Sequence, residues 1–518
     1  MQEDDHRTLS ACSFQLFFKN HFLSSNFSYY IIQTLGILLF CAKMESGKRS
    51  IQKGRNQGLN CNNKYDVVII GGGIGGLMCA YRIAERDPKA SVLLLERGLD
   101  LEHRQCPIIS GKAEKCLKCE PCAVMEGIAG AGAFSDGKYI ISTEYGGWLP
   151  EFMEPTKVMD YIEQADQVLM HFGAQKERFV PNDELKQLCL RYDLHMQQAQ
   201  LKHLGTDANL KTMQNLVDDL KQRIQIETLC TVTDVNKQTH EVYFTHRGQQ
   251  YSVKGEKIVF AVGRAGSRVF LDWCKRNGVA CANNQVDIGV RVELPAMVWE
   301  HFSKKIYEPK ILYRSKAYGD TTRMFCFNER GLVVTENTDG VLTVNGHAYK
   351  ELERKTDNSN FALLCTIRFT EPFNDPIDYA RYVASLANKI SGGSVLVQRL
   401  GDLESGRRTD EKRLKQSTVR PTLNAVPGDL SLCMPKRQLD NIIETLHALD
   451  KVAPGTANYD TLLYGVECKY YSARPDCVNF EIKDCPGIYA LGDGAGFTRS
   501  LSQAAANGLI IGEILTKK

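Results

Sequence analysis

The chain predicts an α/β fold in which a doubly wound domain is assembled from discontinuous segments around an inserted α+β domain. Three stretches predict it. Asp66-Val-Val-Ile-Ile-Gly-Gly-Gly-Ile-Gly-Gly-Leu77 joins an apolar strand to a glycine turn, and Gly487-Ile-Tyr-Ala-Leu-Gly-Asp-Gly-Ala-Gly496 repeats strand and turn near the other end. Lys257-Ile-Val-Phe-Ala-Val-Gly-Arg-Ala-Gly266 supplies a third such strand between them.

The first stretch is a complete βαβ unit. Residues 65–70 are apolar and β-branched, as in a parallel strand buried on both faces. Gly71, Gly73 and Gly76 then satisfy G-x-G-x-x-G, which allows a tight turn, close approach of backbone to a pyrophosphate, and close helix packing. A helix over 77–86 directs its free N–H groups at the phosphates. A second buried strand over 91–95 ends on Glu96, placed to accept hydrogen bonds from ribose hydroxyls; Ile74 and Arg97 complete the expected contacts of this half. The unit is Rossmann-like and binds a dinucleotide.

The last stretch indicates which one. A short strand at 488–491, the turn Gly492-Asp493-Gly494 with Gly496 behind it, and a helix over 503–516 resemble the C-terminal FAD motif of glutathione-reductase-like flavoproteins. The resemblance gives Asp493 the ribityl or pyrophosphate portion and points the helix start at the flavin ring. Gly263 ends the middle strand, where such proteins leave for a second domain.

Length and composition agree. A chain of 518 residues suits about three domain-sized units, or a split cofactor domain with one insertion. Its 43% hydrophobic and 24% charged residues are those of a globular protein. A net charge of +3 argues neither for nor against an acidic partner, and no basic tail or lysine-rich run points to a nucleic-acid partner. The expected layout is a lead segment over 1–63, cofactor-domain parts over 64–140, 200–269 and 475–518, a connecting insertion over 141–199, and a substrate or cap domain over 270–474. Within the lead, the apolar run 29–42 is shorter than the ~20 residues of a membrane span. It reads as a disordered lead, a mis-assigned start or an anchor, so a membrane partner is not expected but association stays open. The 18 scattered cysteines favour a reducing, cytoplasmic compartment.

One cysteine cluster breaks the scatter. Cys106, Cys116, Cys119 and Cys122 fall within seventeen residues, three of them at C-x-x-C-x-x-C spacing. They suit an iron–sulfur cluster, although the proline precedes the triplet instead of following the fourth cysteine as in the ferredoxin run. A tetrahedral zinc site with His103 as an alternative ligand, a redox disulfide, and thiols without chemistry remain open.

The glycine-rich segment Gly127-Ile-Ala-Gly-Ala-Gly-Ala-Phe-Ser-Asp-Gly-Lys138 lets backbone pass close to phosphates, so Gly132, Asp136 and Gly137 join the expected cofactor contacts. Taken in order with Val286-Asp-Ile-Gly-Val-Arg-Val-Glu293, residues 360–364, Gln398-Arg-Leu-Gly-Asp402, Pro421-Thr-Leu423 and Gly492-Asp-Gly-Ala-Gly496, it resembles the predicted FAD-dependent dehydrogenases whose substrate is unassigned. The resemblance runs from about Tyr65 onward. It implies a two-domain flavoprotein of the glutathione-reductase-like superfamily and no named reaction.

The expected activity is therefore an FAD-dependent oxidoreductase moving a hydride or electron pair to or from a small organic substrate. NAD(P)H is a candidate electron partner, although a single G-x-G-x-x-G shows no second nicotinamide domain. Glu467, Lys469 and Tyr470 offer an acid, a base and a phenol shortly before the last motif and are the candidate catalytic groups. Arg291 and Glu293 share a strand face and suit an ion pair or a substrate contact. Cys326, inside Met324-Phe-Cys-Phe327, reads as a small buried hydrophobe, and His347 as a turn residue. The basic stretch 399–420 reads as a salt-bridged face, with an anion pocket as its alternative. Two other classes compete: an electron-transfer flavoprotein with a cluster on the four cysteines, and a non-catalytic flavin sensor.

Overall fold

A computed structural model describes residues 64–517 other than 108–109, 114–116, 118, 339, 349–354, 370–371 and 374. The expected lead over 1–63 lies outside the described residues. The elements that position the site are, in chain order, β1 (Lys64–Ile70), α1 (Ile74–Arg86), β2 (Val92–Leu95), β3 (Gln249–Phe260), α2 (Gly263–Arg276), β4 (Val286–Pro295), β5 (Thr321–Asn328), β6 (Asn358–Ile367), β7 (Leu462–Lys469), β8 (Ile488–Ala490) and α3 (Leu501–Thr516).

Strands β8, β3, β1 and β2 lie side by side in that order and are parallel, with Gln225–Glu227 continuing the sheet beyond β2. Val-Leu-Leu-Leu of β2 is buried at all four positions, as a strand covered on both faces requires. The first half of β3 pairs antiparallel with Glu241–His246, and its second half pairs parallel with β1. Helix α3 is buried from Ser502 to Gly512 and packs on α1 through small residues. A Cβ at Gly508 would lie 2.2 Å from the Gly75 carbonyl oxygen, so backbone meets backbone there. This contact joins the first and last helices of the described chain.

The second sheet is antiparallel except for its edge strand Val426–Pro427, which pairs parallel. Its central strands run β7, β4, β6, β5, flanked by Leu396–Arg399 and Val426–Pro427 on one side and by Ile311–Arg314 and Leu194–Met196 on the other. Strand β4 has two faces. Ile288, Val290, Val292 and Leu294 enter an apolar core with Trp299 and Phe302, roofed by the helices Pro376–Ile390 and Lys436–Asp450. Asp287, Arg291 and Glu293 point the other way, and all three are fully buried.

Buried charges need ion-pair or hydrogen-bond partners; Asp287 and Arg291 are ion-paired, and Glu293 is held by neutral donors. Arg291 donates to Asn360 Oδ1 at 2.9 Å and to the Cys326 carbonyl at 2.8 Å, and its guanidinium lies 3.4 Å from Glu467. Glu293 accepts from Tyr464 at 2.5 Å and Thr422 at 2.6 Å. Asp287 pairs with Arg323 and accepts from Thr366 at 2.7 Å. The basic stretch is salt-bridged as expected: buried Asp402 receives Arg399 and Arg407 at 2.9 Å each.

Several elements differ from the sequence reading. The helix Thr206–Leu220 starts only after a strand that runs as far as His203 and a turn at Gly205 with φ +80°. Helix α2 continues through position 270, the expected start of the inserted domain, because Phe270 and Trp273 pack on Phe260 at ring separations of 4.9 and 4.8 Å. Cys326 is no buried hydrophobe. It stands at φ +53° where β5 bulges against β6, and it is only partly buried.

Candidate active site

Three turns leave the carboxyl ends of adjacent parallel strands, which is where open α/β sheets hold ligands. Gly71 follows β1 with φ +110°, and a Cβ there would strike the Ala261 carbonyl at 2.4 Å. Gly73 caps α1, with open space where its Cβ would be. Gly76 is required by the turn itself, a Cβ falling 2.1 Å from the Gly71 oxygen. Ile74, buried, is the first residue of α1. Gly263 follows β3 with φ +60°, and Gly494 of the last turn packs on it, 2.5 Å separating its would-be Cβ from the Gly263 oxygen. Gly492 and Gly496 hold φ of +76° and +72° around Asp493.

The residues behind this cradle carry no motif of their own. Glu96, at the end of β2, accepts the N–H of Gly72 at 2.7 Å, of Gly98 at 2.8 Å and of Gly127 at 3.0 Å. Three of about four lone-pair sites of the carboxylate are thus engaged by backbone, so its first role is to fix the glycine turn. Arg97 pairs with Glu126. Arg104 has no motif to announce it. Its guanidinium lies over the Phe134 ring and binds the carbonyls of Ile128 at 2.6 Å and Gly130 at 2.9 Å, holding the glycine-rich loop against Gly73. Burial lowers its pKa to about 10.

Further along that loop glycine is required by packing: a Cβ would meet Leu501 at 2.5 Å from Gly132 and Asn209 at 2.9 Å from Gly137. Asp136 pairs with Lys138 at 3.3 Å. Of the cysteine cluster, Cys116 lies outside the described residues. Cys106, Cys119 and Cys122 are free thiols, and no group of three metal-ligating side chains converges among the described residues.

The cradle fits a dinucleotide. Space is left at Gly73, N–H donors of α1 face it, and Ser502 Oγ, Gln503 Oε1 and Asn507 Nδ2 at the start of α3 are buried without a partner among the described residues. Asp493 is partly buried and accepts from Thr498 at 2.5 Å; desolvation raises its pKa, opposed by Arg264 and Arg499.

Asp493 also lines a cavity of about 300 Å³. The cofactor-side wall adds Arg264 and Arg499; the antiparallel sheet adds Arg323, Cys326, Lys469 and Tyr470. Two of the three catalytic candidates are therefore at the cavity. The third, Glu467, is fully buried behind it, 3.4 Å from both Arg291 and Lys469. Lys469 also faces Glu336 at 3.5 Å, its pKa is raised by these acids, and Glu336 is held at about 2. Lys469 thus stays an ammonium.

The motifs assign no role to Lys310, Arg264, Arg323 or Arg499, although Arg264 lies within the stretch Lys257–Gly266 and Arg499 stands three residues beyond Gly496.

A parallel sheet with three glycine turns at its carboxyl edge and a helix aimed at each end of the cradle defines a dinucleotide-binding redox protein. Residues 66–106 match the family "FAD dependent oxidoreductase", and residues 285–470 match "FAD-dependent protein, C-terminal domain-like". By these two matches the chain is an FAD-dependent oxidoreductase, and they assign it no substrate. An uncharacterized protein of Clostridium beijerinckii is 26% identical over 480 residues, covering 87% of this chain and 80% of that protein. Glycine oxidase from Geobacillus kaustophilus is similar at TM-score 0.36 and 10% identity, covering 88% of this chain and 95% of that one. A 3-ketosteroid-delta4-(5alpha)-dehydrogenase from Rhodococcus jostii RHA1 is similar at TM-score 0.41 and 12% identity, covering 89% and 99%. Scores of this size carry no argument about substrate. No helix among the described residues is long and apolar enough to cross a membrane.

Proposed function

We propose that FAD lies along the turns at Gly71–Gly76, Gly263 and Gly492–Gly496, and that a small organic molecule is oxidised or reduced in the cavity beside Asp493. The observation that carries this reading is the opening of one cavity on both Asp493 and the charged face of the antiparallel sheet. When bound, FAD supplies the two-electron chemistry.

The chain's own groups do the rest. Gly73 and the N–H groups of α1 seat the pyrophosphate. Glu96 keeps the phosphate turn shaped and has one lone-pair site left for a ribose hydroxyl. Asp493, held by Thr498, takes the ribityl hydroxyls. Lys469, kept protonated by Glu336 and Glu467, stabilises negative charge on the substrate and does not act as a base. Tyr470 stands beside it at the cavity as the phenol able to pass a proton. NAD(P)H remains the candidate electron partner, and the free thiols among the described cysteines favour a cytoplasmic setting.

The first test is the anaerobic visible spectrum of the full chain before and after addition of NADPH, with Asp493→Ala and Gly73→Val beside it. The expected result is a two-band flavin spectrum, bleached on reduction and lost in both variants. Full flavin occupancy in either variant refutes the seating. A broad reducible shoulder beneath the flavin bands would add an iron–sulfur centre on Cys106, Cys116, Cys119 and Cys122 and make this an electron-transfer enzyme.

A further inference from the structure

The cavity carries more positive charge than its acids neutralise. Each acid lining it is already engaged: Glu336 by Lys469 at 3.5 Å, Glu308 by Lys138 at 3.3 Å and the Cys326 N–H at 2.6 Å, and Asp493 by Thr498 at 2.5 Å. Arg323 is matched by Asp287. Of the three remaining cations, Arg264 acts on Asp493 and Glu336, and the other two rest on aromatic faces. The Lys310 ammonium lies 3.5 Å from the centre of the Tyr145 ring. The Arg499 guanidinium lies 4.7 Å from Trp148 and 4.8 Å from Tyr471.

An aromatic face attracts a cation but accepts none of its N–H donors in the manner of a carboxylate. Neither side chain has a carboxylate within ion-pair distance among the described residues. The two also repel each other: desolvation and the charge of Arg499 press Lys310 down to about 7, against the pull of Glu308 and the Cys326 thiol. A fold that holds two like charges at one cavity without a counter-ion has its donors free for an anion from outside. The guanidinium fork matches a planar carboxylate, and the ammonium supplies a point charge beside it. Ile140, Leu201 and Phe325 give the same cavity an apolar wall.

We propose that the substrate is a small organic carboxylate whose anionic group is bound between Lys310 and Arg499 and whose hydrocarbon body lies against Ile140, Leu201 and Phe325. This inference rests on the placement of the redox site proposed above.

The test is calorimetric titration of the FAD-loaded full chain with a panel of probes: benzoate, succinate, pyruvate and hexanoate, each beside its neutral amide. The expected result is saturable binding of at least one carboxylate in the millimolar range or tighter, with its amide weaker by about ten-fold or more. Arg499→Met and Lys310→Met should each weaken that carboxylate by a similar factor while keeping their FAD, and Arg499→Lys should recover part of the loss. Near pH 8 the wild-type chain should take up a proton on binding, read from buffers of different ionisation enthalpy, because the arriving anion returns the proton to Lys310. Lys310→Met should take up none.

Equal affinity for acid and amide, or no binding by any carboxylate of the panel to protein that retains FAD, overturns the inference alone. Loss of FAD from Arg499→Met and Lys310→Met with binding otherwise unchanged would overturn it too, assigning the two cations to the cofactor's own anion. Wild-type protein that holds no FAD would instead overturn the placement of the redox site.

Discussion

Replacing Lys310 by Met should make the protein more stable at acid pH and leave it nearly unchanged at alkaline pH. Burial lowers the Lys310 pKa from 10.5 to about 7. That depression corresponds to a folding penalty on the order of 5 kcal/mol while the group is charged in both states. The Tyr145 face offsets about 0.5–2 kcal/mol, so removal of the charge leaves a gain of about 3 kcal/mol. The penalty is complete below the folded pKa. Between about 7 and 10.5 the folded chain has released the proton that the unfolded chain still binds, so wild-type stability rises with pH through that window. At about pH 9.5 the remaining penalty is about 1.4 kcal/mol, comparable to the loss of the ring contact. With an unfolding entropy of about 2.1 cal/mol/K per residue, a chain of this length moves its midpoint by about 1 °C per kcal/mol. Circular dichroism melts should therefore place Lys310→Met about 3 °C above wild type at about pH 6 and within about 1 °C at pH 9.5. A gain of the same size at both pH values, or none at pH 6, would refute the reasoning.

Two further substitutions probe the scaffold. Gly508→Ala should lower the thermal midpoint by about 3 °C and the flavin occupancy with it, because the new methyl falls 2.2 Å from the Gly75 oxygen and backbone on both sides must separate. An unchanged melt and full flavin content would show that the helices part without cost. Glu467→Gln should cost about 3–5 kcal/mol by leaving Arg291 without a carboxylate in the interior and Lys469 with Glu336 alone, whereas Arg291→Met combined with Glu467→Met should recover most of that loss in the same melt. A double variant as unstable as the single one would mean the layer is not an ion-pair system.

The cofactor cradle was legible because its determinants are local. Gly71, Gly73 and Gly76 obey a steric rule within one turn, β1 and β2 advertise burial by continuous apolar runs, and the last glycine turn has a spacing of its own. The cavity was not, because it is made from residues far apart in the chain. Lys310 sits in an unremarkable polar stretch, and only folding brings it to Arg499. Cys326 was misread for a related reason: alternation in β5 predicts its side, but the bulge against β6 turns it out of the core. Glu96 shows the limit within the motif itself, since spacing foretold its position but not the three backbone donors that claim it.

The meeting of α1 and α3 through Gly75 and Gly508 also fixes when the enzyme can come into being. On the ribosome the glycine turn after β1 emerges early, yet the surface of α1 that α3 covers stays bare until the last segment has left the exit tunnel. A nascent chain must therefore carry an open apolar groove through the synthesis of the whole antiparallel sheet, exposed to misassembly throughout. Cofactor loading is correspondingly a late event, so a chain halted before Asp493 should emerge without flavin and depend on chaperones.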